Sequence, residues 1–148
     1  MNEAPVSYEK LIAEHGVIDA ALARLAVLVK DDEPDLPGVI LALSDLSSEL
    51  SAHLAHEDGF LYSRMLTNGT PEGQAAAQTF IAEFAELRHD WGLYLGEWNR
   101  ECIAGNWAQF RQETDAMIAR FAGRVAVENN LLYTMALRIG VITLRHTG

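Results

Sequence analysis

The chain has 148 residues, enough for one domain with a real core, and carries a formal charge of −10 with its 11 Lys and Arg scattered. That charge repels phosphate backbones and acidic membrane surfaces, so neither nucleic acid nor membrane is expected as a partner. With 4 Pro, 11 Gly, long Ala/Leu/Glu-rich stretches and no β-branched residues in period-two alternation, the composition favours an all-α fold over a sheet.

Breakers divide the chain into four predicted helices. The segment "DDEPDLPG" at 31–38, "TNGTPEG" at 67–73 and "AGN" at 104–106 separate helices near 7–30, 37–66, 71–104 and 106–139, all within one domain spanning 1–148. Ser7 and Thr70 are expected N-caps, and Pro71 suits the first helical position after Thr70. Short loops between long helices imply antiparallel neighbours, hence an up-down-up-down four-helix bundle. No apolar run reaches the roughly 18 residues of a membrane span, the opening "MNEAPVSYEK" lacks the basic and apolar parts of a secretory signal, and Cys102 alone cannot form an intramolecular disulfide. A cytoplasmic protein is the expectation.

Helical spacing gives each segment an apolar stripe interrupted by ionisable groups. On the first helix the stripe is Tyr8, Leu11, Ile12, His15, Ile18, Leu22, Leu25 and Val29; on the second it runs through Val39, Leu43, Leu46, Leu50, His53, Glu57, Phe60 and Leu61. On the third, Ile81, Ala82, Ala85, His89 and Leu93 share a face, and on the fourth Phe110, Met117, Phe121, Arg124, Glu128, Leu131 and Met135 do. His15 and His53 each lie 19 residues from position 34 in the first loop; His89 lies 16 before Gly105 and Arg124 19 after it. Equal distances from a shared loop mean equal height in antiparallel helices, so these groups should meet at one level of the bundle.

Burying three imidazoles, two carboxylates and a guanidinium together costs several kcal/mol unless they compensate one another or a metal does so. Nitrogen and carboxylate ligands converging from four helices suit iron, manganese or zinc, and His53 and Glu57, four apart, can reach one ion. A lone His, His-x-x-x-Glu, a lone His and a second motif head, here His15, "HLAHE" 53–57, His89 and "RVAVE" 124–128, resemble the hemerythrin-like (HHE cation-binding) family over about residues 8 to 137. The resemblance implies a non-haem di-iron centre bridged by Glu57 and Glu128, serving in the binding or sensing of oxygen, nitric oxide or redox state, or in iron handling. The expected metal ligands are therefore His15, His53, Glu57, His89 and Glu128.

Arg124 stands where the family has its fourth histidine. Guanidinium stays protonated and offers no lone pair, so it removes a ligand and adds a fixed positive charge. Two carboxylates and Arg124 together carry −1; one divalent ion brings the cluster to +1 and two bring it to +3, so a single-metal centre is the expectation. Alternatively Arg124 pairs with Glu128 and Glu57 in place of a metal, leaving a structural or interaction module. His56 is expected to flank the site or replace the missing ligand, and His146 to lie in solvent. Tyr62 and Tyr133, half a helical turn off the ligand face, are expected to pack rather than take part in the chemistry, as are Trp91, Trp98, Trp107 and Tyr94, whose joint exposure would instead mark a homodimer interface. Glu86 and His89 form the Glu-x-x-His of ferritin-like bundles, but that fold needs two such motifs and the fourth helix has no histidine. No nucleophile–base pair or phosphate loop supports catalysis.

Overall fold

A computed structural model describes residues 7–56 and 61–145. The expectations for Glu57, the His56 side chain and His146 fall outside the described residues. The chain is an all-α four-helix bundle. Its first rod is α1 (Tyr8–Lys30); its second contains α2 (Leu36–His56) and α3 (Ser63–Asn68). The third contains α4 (Pro71–Glu97) and α5 (Arg100–Gly105), and the fourth runs through α6 (Trp107–Val127), a π-helical turn (Glu128–Leu132) and α7 (Tyr133–Arg138). No helix among the described residues is long and apolar enough to cross a membrane.

Local chemistry sets the ends of these rods. Ser7 Oγ accepts from the Lys10 amide at 3.1 Å and Thr70 Oγ1 from the Gly73 amide at 3.0 Å, with Pro71 in the first turn. The amides of Tyr8 and Glu9 donate to the carbonyls of Thr143 and Leu144, so the chain's end ties down the start of α1. At the far end of α1, Arg111 donates to the carbonyls of Val29 and Lys30, which also places its charge at the negative end of the helix dipole. The predicted third helix is interrupted at Trp98–Asn99. There the Asn99 side chain accepts from the Cys102 amide at 2.8 Å and starts a new helix, the competition that makes Asn a poor interior residue and a good cap.

The core has two apolar parts. One gathers Ile18, Leu22, Leu46, Leu50, Phe84, Trp91, Phe110, Phe121 and Val125; the other Leu11, Leu61, Tyr62, Met65, Leu132 and Tyr133. Buried His15, His53 and Glu128 fall between them, each with a residue of one part before it and of the other after it along its rod. The third rod turns a different face inward from the one expected. Ala77, Phe84, Leu87, Trp91, Tyr94 and Trp98 are buried, while Ala82, Ala85, His89 and Leu93 are exposed. The aromatic stripe wins because each ring removes on the order of 150–250 Å² from water, far more than Ala82 and Ala85 offer. Trp91 meets Tyr94 and Phe121, and Trp98 and Trp107 meet Phe110, so these rings serve the core rather than an exposed aromatic patch.

Candidate metal centre

Two histidines from neighbouring rods face one another at the level between the two core parts. His15 Nε2 lies 2.9 Å from His53 Nε2 and 2.8 Å from Glu128 Oε1, and His53 Nε2 lies 3.7 Å from the same oxygen. His15, His53 and Glu128 are 1%, 5% and 2% exposed, so water does little to screen their encounter. The outer nitrogens fix which atoms point inward. His53 Nδ1–H donates to Glu14 Oε1 at 2.8 Å and His15 Nδ1–H donates to Asn129 Oδ1 at 2.6 Å. An ionised carboxylate and an amide oxygen only accept, so each ring donates from Nδ1, and in the neutral imidazole this leaves the Nε2 lone pair turned toward the cluster.

In that state two imine lone pairs and a carboxylate oxygen lie within 4 Å of one another, an arrangement that a shared cation stabilises. The donor set therefore fits a metal ion, and among the described residues these three side chains form a group that could hold one. Glu14 and Asn129 stand in the position of the partners that orient histidines in metal sites. Sequence reasoning overlooked both, although each is the direct chain neighbour of a cluster residue.

Arg124 takes the other oxygen of Glu128. Its Nε donates to Oε2 at 2.6 Å, while one terminal nitrogen donates to Tyr62 Oη at 2.8 Å and to the Phe80 carbonyl at 3.0 Å. The guanidinium carbon sits 5.0 Å from the ring centres of both Phe80 and Phe84, in cation–π range of each. The flank that faces α4 is thus filled by Arg124 against two phenylalanines. His89 lies on the exposed side of α4 and does not join the cluster, a correction to the sequence reading that follows from the rotation of that rod.

Both tyrosines pack in the second core part as expected, but their hydroxyls also reach the cluster, a correction to the face assigned to them. Tyr133 Oη lies 2.9 Å from His15 Nε2, 3.1 Å from His53 Nε2 and 3.3 Å from Glu128 Oε1. In an α-helix a residue five positions beyond Glu128 would stand roughly 140° around the axis. The turn Glu128–Leu132 is instead π-helical, with the Tyr133 amide donating to the Glu128 carbonyl, and this brings Tyr133 back over Glu128. Leu61 and Tyr62 have the same π-helical geometry in the second rod. The pairing is crossed: the tyrosine of the fourth rod reaches His53 of the second, and the tyrosine of the second reaches Arg124 of the fourth.

Beside the donors lies a cavity of about 20 Å³, lined by Ile18, Leu50, Phe84, Phe121 and Val125 together with the cluster itself.

Comparison with protein families matches residues 6–136 to the hemerythrin HHE cation-binding domain. Comparisons with curated proteins and with solved structures find no match.

Proposed function

The chain belongs to the hemerythrin HHE cation-binding family, and we propose that it holds a single iron ion at His15, His53 and Glu128 and uses it to bind or sense a small diatomic ligand or redox state. The observation that carries this reading is the division of the Glu128 carboxylate, with Oε1 among the imidazole nitrogens and Oε2 held by Arg124. A carboxylate that bridges two ions with one oxygen on each uses both oxygens. Here the guanidinium occupies the second position and supplies a permanent positive charge in place of a second metal.

Bound iron would supply a Lewis-acidic, redox-active centre open to a ligand such as oxygen or nitric oxide. The rest is done by the chain. Glu14 and Asn129 hold the imidazole tautomers, Arg124 fixes the carboxylate, and the apolar walls of Leu50, Phe84, Phe121 and Val125 keep bulk water away from the donors. A cavity of about 20 Å³ takes one water-sized or diatomic molecule, which supports binding or sensing of a small ligand. Cytoplasmic residence fits this reading.

The Arg124–Glu128 ion pair also supports a second reading, a metal-free bundle in which the guanidinium alone balances the carboxylate and function lies in a protein partner. Elemental analysis after anaerobic loading with ferrous iron and desalting separates the two. One iron per chain is expected, unchanged in His89→Ala because His89 is exposed. Two irons would refute the single-metal centre, and none would leave the metal-free reading.

A further inference from the structure

We propose that Tyr133 is itself a metal ligand, so that among the described residues the ion is held by two imidazoles, one carboxylate oxygen and one phenolate. The inference rests on the reading of His15, His53 and Glu128 as a one-metal site and adds a fourth donor to it.

The geometry of four atoms carries the argument. Tyr133 Oη lies 2.9, 3.1 and 3.3 Å from His15 Nε2, His53 Nε2 and Glu128 Oε1. Those three are separated from one another by 2.9, 2.8 and 3.7 Å. The six distances are the edges of one irregular tetrahedron. A regular tetrahedron of nitrogen and oxygen ligands with metal bonds of about 2.0–2.1 Å has edges of about 3.3–3.4 Å, so the four atoms already stand close to the corners that a bound ion needs. A tyrosine that merely packed against the site would approach one donor from outside. Tyr133, with 0% exposure, closes the fourth corner.

One further feature supports the assignment. The π-helical turn is a local departure from α-helix that brings the Tyr133 hydroxyl over the Glu128 carboxylate, and π-turns of this kind recur at functional sites. On binding, the Tyr133 O–H bond breaks, an oxygen–metal bond forms and the proton leaves to solvent, with no change in oxidation state. The phenolate charge offsets part of the ion's charge beside the fixed cation Arg124, and an anionic oxygen donor suits a hard, highly charged ion such as ferric iron.

The test uses the full chain loaded anaerobically with ferrous iron, desalted and then oxidised with ferricyanide, with iron content and visible absorption measured for the unaltered protein, Tyr133→Phe and Tyr62→Phe. Expected is bound iron in all three, with a visible phenolate-to-iron charge-transfer band in the unaltered protein and in Tyr62→Phe that is lost in Tyr133→Phe. Resonance Raman spectroscopy of the unaltered protein, excited in that band, should show tyrosine modes that shift when the protein is grown on ring-deuterated tyrosine, a readout that does not depend on how Tyr133→Phe folds. Bound iron without the band, or a band that survives in folded Tyr133→Phe, overturns the ligand assignment and leaves the metal site standing. An unaltered protein that binds no iron overturns both.

Discussion

Replacing Arg124 by Met tests the division of the site most directly, because Met keeps much of the side chain's length and its packing on Phe80 and Phe84 while removing the charge. Without metal, the variant deprives the buried Glu128 carboxylate of a guanidinium at 2.6 Å and removes the donors to Tyr62 Oη and the Phe80 carbonyl. Removing one partner of a buried ion pair costs about 3–5 kcal/mol. In a domain of this size each kcal/mol lowers the melting temperature by roughly 2–4 °C, so a fall of roughly 6–20 °C is expected. A divalent cation at the neighbouring oxygen should restore much of that loss, since it supplies the positive charge that Arg124 withdrew. Thermal unfolding followed by circular dichroism, with chelator and then with one equivalent of ferrous iron under anaerobic conditions, reads both effects. A metal-free variant melting within about 2 °C of the parent, or a loss of the same size with and without metal, would refute the claim that guanidinium and ion balance the same carboxylate.

Two other expectations follow from named contacts. Glu14→Ala and Asn129→Ala each remove the acceptor that fixes a histidine tautomer, and each should weaken iron binding by about 10–100-fold in anaerobic titration while leaving the helical spectrum intact; unchanged affinity in both would mean that the imidazoles need no orienting. The Tyr94 hydroxyl, buried beside Thr114 Oγ1, is pushed up to about 12, first by its removal from water and further by the charge of Glu113. Its folded value exceeds the ordinary value near 10, so its contribution is intact below pH 10 and is lost as the pH rises from there through 12, about 2–3 kcal/mol in all. Denaturant melts between pH 9 and about 12 should show that fall in the parent and a shallower one in Tyr94→Phe; parallel curves would contradict it.

Much of the fold is legible in the sequence because its signals are local. Ser7 and Thr70 cap helices as their side-chain chemistry dictates, the 3.6-residue stripes put His15, His53 and Glu128 on inward faces, and equal distances from the first loop put the two histidines at one level. The third rod is misread for two physical reasons. Its apolar residues lie on both of two faces, which leaves side-chain size rather than spacing to decide, and the break at Trp98–Asn99 invalidates a count that assumes one continuous helix between His89 and Gly105. The tyrosines are misread because helical arithmetic assumes α-geometry throughout. One π-turn shifts the phase of everything after it, and no residue between Glu128 and Tyr133 announces that turn in its composition. Glu14 and Asn129 act through tertiary hydrogen bonds to the rings of His53 and His15, contacts for which spacing along one helix gives no signal.

The two copies of the motif explain why a single substitution can have so local an effect. The chain repeats Glu, Leu and Tyr at 57, 61 and 62 and again at 128, 132 and 133, with His53 heading one copy and Arg124 the other. Because each tyrosine reaches across to the head of the opposite copy, the site divides into two halves, one of His15, His53 and Tyr133, the other of Arg124, Tyr62 and the rings of Phe80 and Phe84. Glu128 sits on the boundary with one oxygen in each. With arginine rather than histidine at its head, one half carries a fixed cation, while the other holds His15 and His53 with their partners Asn129 and Glu14 between the two core parts. If the centre holds one ion as proposed, position 124 sets that number, and whether the oxygen of Tyr133 joins the nitrogens of His15 and His53 sets which ion suits the remaining half.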